Sequence, residues 1–240
     1  MSRLATSNLT KIYDQTAVVD GVNLSFNEGE VTALLGRNGA GKTTTFLMMA
    51  GIVKPDGGQV LYDAENITDM PSHLRAEKGL IYLPQQHSIF IRATVFQNLF
   101  MILELRGNEK EARRRSAELL EDFGLAEVRD SPAYALSGGE KRRLEIARAM
   151  IMSPRFLFLD EPFTGIDPIT IIELQKVIQK IRERGIGIII TDHNVKDTFF
   201  ITDLAYIIHK GQILCQGKPS EIVCDAQARQ LFLGHEFEWN

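Results

Sequence analysis

Three stretches of the chain carry residue types and spacings that can do chemistry. Gly36-Arg37-Asn38-Gly39-Ala40-Gly41-Lys42-Thr43 fits the pattern GxxxxGK[ST]. Glycines at such positions let the backbone curl until its N–H groups converge on phosphate oxygens. The helix expected to begin there adds about half a positive charge at its N-terminus. Lys42 contributes a full charge for the β- and γ-phosphates of a nucleotide, Thr43 offers a hydroxyl to Mg²⁺, and Thr44 closes the expected binding set.

Asp160 and Glu161 follow the apolar run Phe156-Leu157-Phe158-Leu159. Acidic residues at the C-terminal end of a buried parallel strand lie where open α/β sheets bind ligands. Asp160 is the expected Mg²⁺ ligand. Adjacent strand residues alternate faces, so Glu161 is expected to point elsewhere and to polarise an attacking water as general base. The third stretch is Leu136-Ser137-Gly138-Gly139-Glu140. Ser137-x-x-Glu140 is a capping box that starts a helix. Glycines in a first turn cost about 1 kcal/mol each against alanine, so their presence implies that something must approach the backbone closely. A glycine-lined helix N-terminus with a free serine hydroxyl is expected to be a second anion site.

These residues need a scaffold. Leu4 to Tyr13 and Ala17 to Phe26 read as strands joined by a polar turn at Asp14-Gln15. Val31 to Leu35 reads as a buried strand and Lys42 to Ala50 as a helix. The turn signal Pro55-Asp56-Gly57-Gly58 leads to a strand over Gln59 to Tyr62, and Leu80 to Leu83 is a further strand. Val95 to Leu105, Glu109 to Phe123 and Ser137 to Met152 read as helices. Phe156 to Leu159 and Ile186 to Ile190 are buried strands, and Leu204 to Ile208 with Gln212 to Gln216 form a hairpin across Lys210-Gly211. Between them Asp167 suits an N-cap with Pro168 at the first helical position, ahead of apolar residues from Ile171 to Ile181 at helical spacing. The expectation is an α/β core at about 1–87 and 154–240 with a mainly parallel sheet covered on both faces. A helical subdomain at about 88–153 is inserted in it.

Composition narrows the class. The chain has 240 residues, 44% of them hydrophobic and 24% charged, which excludes disordered, collagen-like and disulfide-scaffold readings. A net charge of −4 argues against nucleic-acid binding. The run Arg113-Arg114-Arg115 is flanked by glutamates and reads as a solvated helix face. Cys215 and Cys224 form no metal-ligand spacing and suit a reduced cytoplasmic chain. No apolar run approaches the ~20 residues that span a bilayer, and the first residues carry no leader-like apolar stretch.

Taken together the three motifs resemble the nucleotide-binding subunit of ABC transporters, and the resemblance runs from about Leu4 to Phe237. It implies a P-loop NTPase core with an N-terminal antiparallel β subdomain and the inserted helical subdomain. It also implies further roles. Tyr13 matches the aromatic residue that stacks on adenine. Gln85, in Leu83-Pro84-Gln85, matches the glutamine that senses Mg²⁺ and the γ-phosphate and links to the membrane subunits. Asp167, in Gly165-Ile166-Asp167, matches the loop that crosses to the opposite subunit, and His193 matches the histidine on the γ-phosphate. His73, His87, His209 and His235 match no catalytic position and read as surface or packing residues.

In that family two subunits pack head to tail, with each ATP held between Lys42 of one and Ser137, Gly138, Gly139 and Glu140 of the other. Hydrolysis by Glu161 and His193 then opens the dimer. Pro84 to Phe90, Asp160 to Ile169, Thr191 to Val195 and Phe232 to Phe237 are similar to the lipopolysaccharide-export ATPases in particular. The alternatives are the ATPase of a branched-chain amino-acid importer and, more distantly, an ABC ATPase acting on nucleic acid or ribosomes. Neither a long coiled-coil insertion nor a second ATPase unit is present for the latter. The implied partners are a second copy and two integral inner-membrane permease subunits. The chain would then sit on the cytoplasmic face without touching the cargo. Gln85, Phe90 and Arg92 are the expected contacts with the membrane subunits. Ile91 stands where the family often has a basic residue.

Overall fold

The computed structural model describes residues 2–234 and residue 237. His235 and part of the closing segment 232–237 therefore lie outside the described residues. β1 (Arg3–Tyr13) and β2 (Thr16–Asn27) form the expected hairpin. Asp14 and Gln15 turn it with φ of 46° and 64°, the left-handed pair that matches strand twist. β3 (Val31–Leu35) leads into α1 (Lys42–Met49). β4 (Gly57–Tyr62) begins earlier than the sequence suggested, because Gly57 pairs with Thr10 across β1. β5 (Glu65–Asn66) completes a four-stranded antiparallel sheet in the order β2-β1-β4-β5.

α2 (Ser72–Glu77) precedes β6 (Leu80–Leu83). α3 (Val95–Glu104), α4 (Glu109–Asp122) and α5 (Gly138–Met150) follow as the helical insertion. The chain then returns to the core through β7 (Phe156–Asp160), α6 (Pro168–Glu183), β8 (Gly187–Thr191), α7 (Val195–Phe199), β9 (Leu204–His209), β10 (Gln212–Gly217) and α8 (Pro219–Cys224). The second sheet has the order β10-β9-β3-β8-β7-β6, parallel throughout except for the β9–β10 hairpin.

Burial explains this layering. In β7 the side chains of Phe156 and Phe158 join a core with β1, β2 and α1, while Leu157 and Leu159 join the core beneath α5 and α6. A strand buried on both faces must be apolar throughout, as this one is. Phe46 of α1 meets Phe158 edge-on at 5.6 Å, so α1 is clamped between the two sheets. α4 is helical despite its charge. Ala112, Ser116, Leu119 and Leu120 face inward, and Glu109–Arg113 and Glu111–Arg114–Glu118 pairs line the outside. The short helices α2, α7 and α8 escaped the sequence reading, since pieces of five or six residues show little periodicity. Among the described residues no helix is long and apolar enough to cross a membrane.

Candidate functional site

The carboxyl ends of β3, β8, β7 and β6 are adjacent in the second sheet, and each feeds a loop that carries chemistry. The loop after β3 turns sharply at Gly41, whose φ is 107°. A Cβ there would lie 2.5 Å from the Val18 carbonyl, so only glycine fits. No side chain caps α1, which leaves its first N–H groups facing the loop cavity. That cavity is about 400 Å³ and is lined by Val18, Asn38, Gly39, Gly41, Lys42, Thr43, Thr44, Gln85 and Glu161. Its size suits a nucleotide's phosphates and part of its sugar. Lys42 Nζ donates to Gly36 O at 2.8 Å and Arg37 O at 3.3 Å, which holds the ammonium over the loop. Burial lowers its pKa, against the opposing pull of Glu161, Asp160 and Asp192.

Asp160 is buried at the end of β7. Its Oδ1 accepts from Thr191 Oγ1 at 2.6 Å and from Thr43 Oγ1 at 3.4 Å, and its Oδ2 accepts from Tyr82 OH at 3.0 Å. Burial and the Asp160 carboxylate both push the Tyr82 phenol up, so it remains a neutral donor. A hydroxyl from Thr43, a carboxylate from Asp160 and an amide from Gln85 are hard donors that suit Mg²⁺, with substrate phosphates and water left to supply the remaining ligands.

Glu161 corrects the strand-alternation argument. It lies beyond β7, and a left-handed φ of 44° turns its side chain into the cavity. Such a conformation in a residue other than glycine is held by its surroundings. Here Glu161 N donates to Thr191 O at 2.8 Å, and Glu161 Oε2 accepts from Gln85 Nε2 at 2.9 Å and Thr164 Oγ1 at 3.2 Å. His193 Nδ1 is 3.6 Å from that same oxygen and 3.4 Å from Thr164 Oγ1. The structure thus brings Lys42, Thr43, Gln85, Asp160, Glu161 and His193 together. Tyr13 does not line the cavity; it is half exposed at the end of β1, with Lys11 Nζ 5.2 Å from its ring centre.

The profile of the ABC transporter family matches residues 19–164, which span the P-loop, Asp160 and Glu161. The chain belongs to the ABC transporter family. It is 45% identical to the lipopolysaccharide export system ATP-binding protein LptB of Haemophilus influenzae, over 99% of this chain and 100% of that protein. It is 48% identical to the protein of the same name from Acidithiobacillus ferridurans, over 98% of each. Its fold matches the ADP conformation of an ATP-binding cassette of an ABC transporter, with a TM-score of 0.89 and 26% identity, over 98% of this chain and 100% of that one.

In this ABC protein Ser137 caps α5 as the spacing implied. Glu140 N donates to Ser137 Oγ at 3.3 Å, and Ser137 N donates to Glu140 Oε2 at 2.8 Å. The serine hydroxyl is not free, however, because it donates to Glu140 Oε2 at 2.7 Å. That bond is the main cause holding the Glu140 carboxyl below the usual range. The close approach expected at Gly139 comes from within the chain itself. A Cβ there would stand 1.9 Å from Thr170 Cγ2, so its first demand is close packing of α5 against α6. Gly138 is exposed and lines a separate small crevice with Gln85, Glu161 and Gly165. Asp167 accepts from Thr170 N at 3.1 Å and caps α6 as expected.

Phe90 and Arg92 are exposed, and Arg148 stacks on the Phe90 ring at 4.6 Å. Val95, Phe96 and Leu99 pack the core of the helical insertion. Sequence reasoning missed Tyr82, Arg142 and Asp192. Arg142 donates to Pro84 O at 2.9 Å, Glu145 Oε2 at 3.0 Å and Asp160 O at 3.1 Å, joining α5 to the loop after β6 and to the end of β7. A lone hydroxyl in the apolar strand around Tyr82, and an acid directly before His193, were the available signals for the other two.

Proposed function

We propose that this chain is the ATP-hydrolysing motor of a lipopolysaccharide-export ABC transporter. The observation that carries the cargo is the end-to-end likeness, at 45% and 48% identity, to lipopolysaccharide-export ATP-binding proteins. In this reading the P-loop holds the ATP phosphates and Tyr13 stacks on adenine. Thr43, Gln85 and Asp160 hold the Mg²⁺, whose positive charge screens the phosphates. Glu161 takes a proton from the attacking water, and His193 donates toward the γ-phosphate. The partly exposed cradle of α1 is completed in a dimer by Ser137, Gly138 and Gly139 of a second copy, and Asp167 lies in the crossing loop. Gln85, Phe90 and Arg92 face two integral inner-membrane subunits, so the motor works peripherally on the cytoplasmic face.

The test is replacement in a bacterium depleted of its own lipopolysaccharide-export ATPase. Expression of this chain together with its cognate membrane subunits restores lipopolysaccharide delivery to the outer membrane, and the Lys42→Ala variant does not. Active ATPase that restores no delivery, and that co-purifies with an importer's membrane subunits, would overturn the cargo.

A further inference from the structure

We propose that Asp192 is a positioning residue that sets Glu161 and His193 against each other by tying the loop after β7 to the loop after β8. Its carboxylate is fully buried and lines no part of the P-loop cavity. Oδ1 accepts from the backbone N–H of His193 at 2.7 Å and of Asn194 at 2.9 Å. Oδ2 accepts from the backbone N–H of Phe163 at 3.0 Å. One side chain therefore holds both segments that carry the reacting groups, Glu161 standing two residues before Phe163. The same Oδ1 lies 3.6 Å from His193 Nδ1.

Three converging N–H donors require two acceptor oxygens and no donor, and an aspartate carboxylate supplies that set. Burying it is expensive, as the upward push of burial on its pKa shows. An apolar side chain would fill the space without that cost but would leave three N–H groups unpaired. Thr191 completes the arrangement on the other side. Its hydroxyl donates to Asp160 Oδ1, and its carbonyl accepts from Glu161 N. The end of β8 thus fixes Asp160, Glu161, Phe163 and His193 from one dipeptide. This inference rests on Glu161 and His193 being the hydrolytic pair.

The experiment measures kcat, KM and equilibrium ATP affinity for Asp192→Asn, with Glu161→Gln alongside, in the full chain. An amide turns its NH₂ toward one group of N–H donors and releases one loop. Since small misplacements of reacting groups can cost about 10²-fold in rate, kcat is expected to fall about 10²-fold while ATP affinity stays near that of the wild type. A wild-type kcat, or a loss of ATP affinity equal to the loss of rate, overturns the positioning role. If instead Glu161→Gln hydrolyses ATP normally, the assignment of the pair itself fails, which is a separate result. Amide exchange in the wild-type protein tests the tie even if the variant does not fold. The N–H groups of Phe163, His193 and Asn194 exchange slowly if Asp192 holds them, and fast exchange at Phe163 overturns the link between the two loops.

Discussion

Burial holds the Lys42 ammonium below the ordinary lysine pKa, although three carboxylates pull the other way. A bound phosphate would favour the charged form and raise that pKa again. At alkaline pH, where part of the free protein has a neutral Lys42, nucleotide binding is therefore expected to take up a proton. Affinity then weakens as pH rises through the depressed value. Calorimetry of ATP binding to Glu161→Gln in buffers of different ionisation enthalpy reads that uptake directly. Lys42→Ala should lose ATP binding, and normal turnover in that variant would contradict the role of the loop. At this scale Lys42, Thr43, Asp160 and Glu161 were picked out because they stand in a motif of fixed spacing or directly after an unbroken apolar strand. Tyr82, Arg142 and Asp192 were not, because their contacts lie 78, 18 and 29 residues away.

Helix α5 shows how one sequence signal can carry two demands. Ser137 and Glu140 form the capping box, so the start of the helix was readable from spacing alone. Gly139 was attributed to close approach, and the approaching group is the Thr170 methyl of α6. Overpacking of this kind costs about 1–3 kcal/mol. Gly139→Ala is accordingly expected to lower stability by about that amount in denaturant unfolding. Thr170→Ser removes the methyl while keeping the hydroxyl that donates to Asp167 Oδ2 at 2.6 Å. The double variant should recover most of the loss; additive losses would show that the clash is relieved elsewhere. Helix α6 was similarly legible from its Asp167–Pro168 cap and its apolar spacing, whereas α2 and α7 were too short to leave a pattern.

Across the whole molecule the P-loop cavity is open, and the α5 N-terminus lines a different crevice beside Gly165. If a second copy closes the cavity, a variant that binds ATP without hydrolysing it should remain paired. Glu161→Gln is expected to elute as a dimer with ATP and Mg²⁺ and as a monomer without nucleotide; a monomer under both conditions would contradict a shared site. Strand and helix order, the P-loop and the helical insertion could be read from the sequence, because apolar periodicity and glycine spacing are local properties of the chain. Only the tertiary structure decided that Glu161 turns inward at a left-handed backbone angle and that Asp192 joins two loops. Each of those depends on which strand ends lie side by side, and strand order in a parallel sheet is set by crossovers and burial that no local pattern encodes.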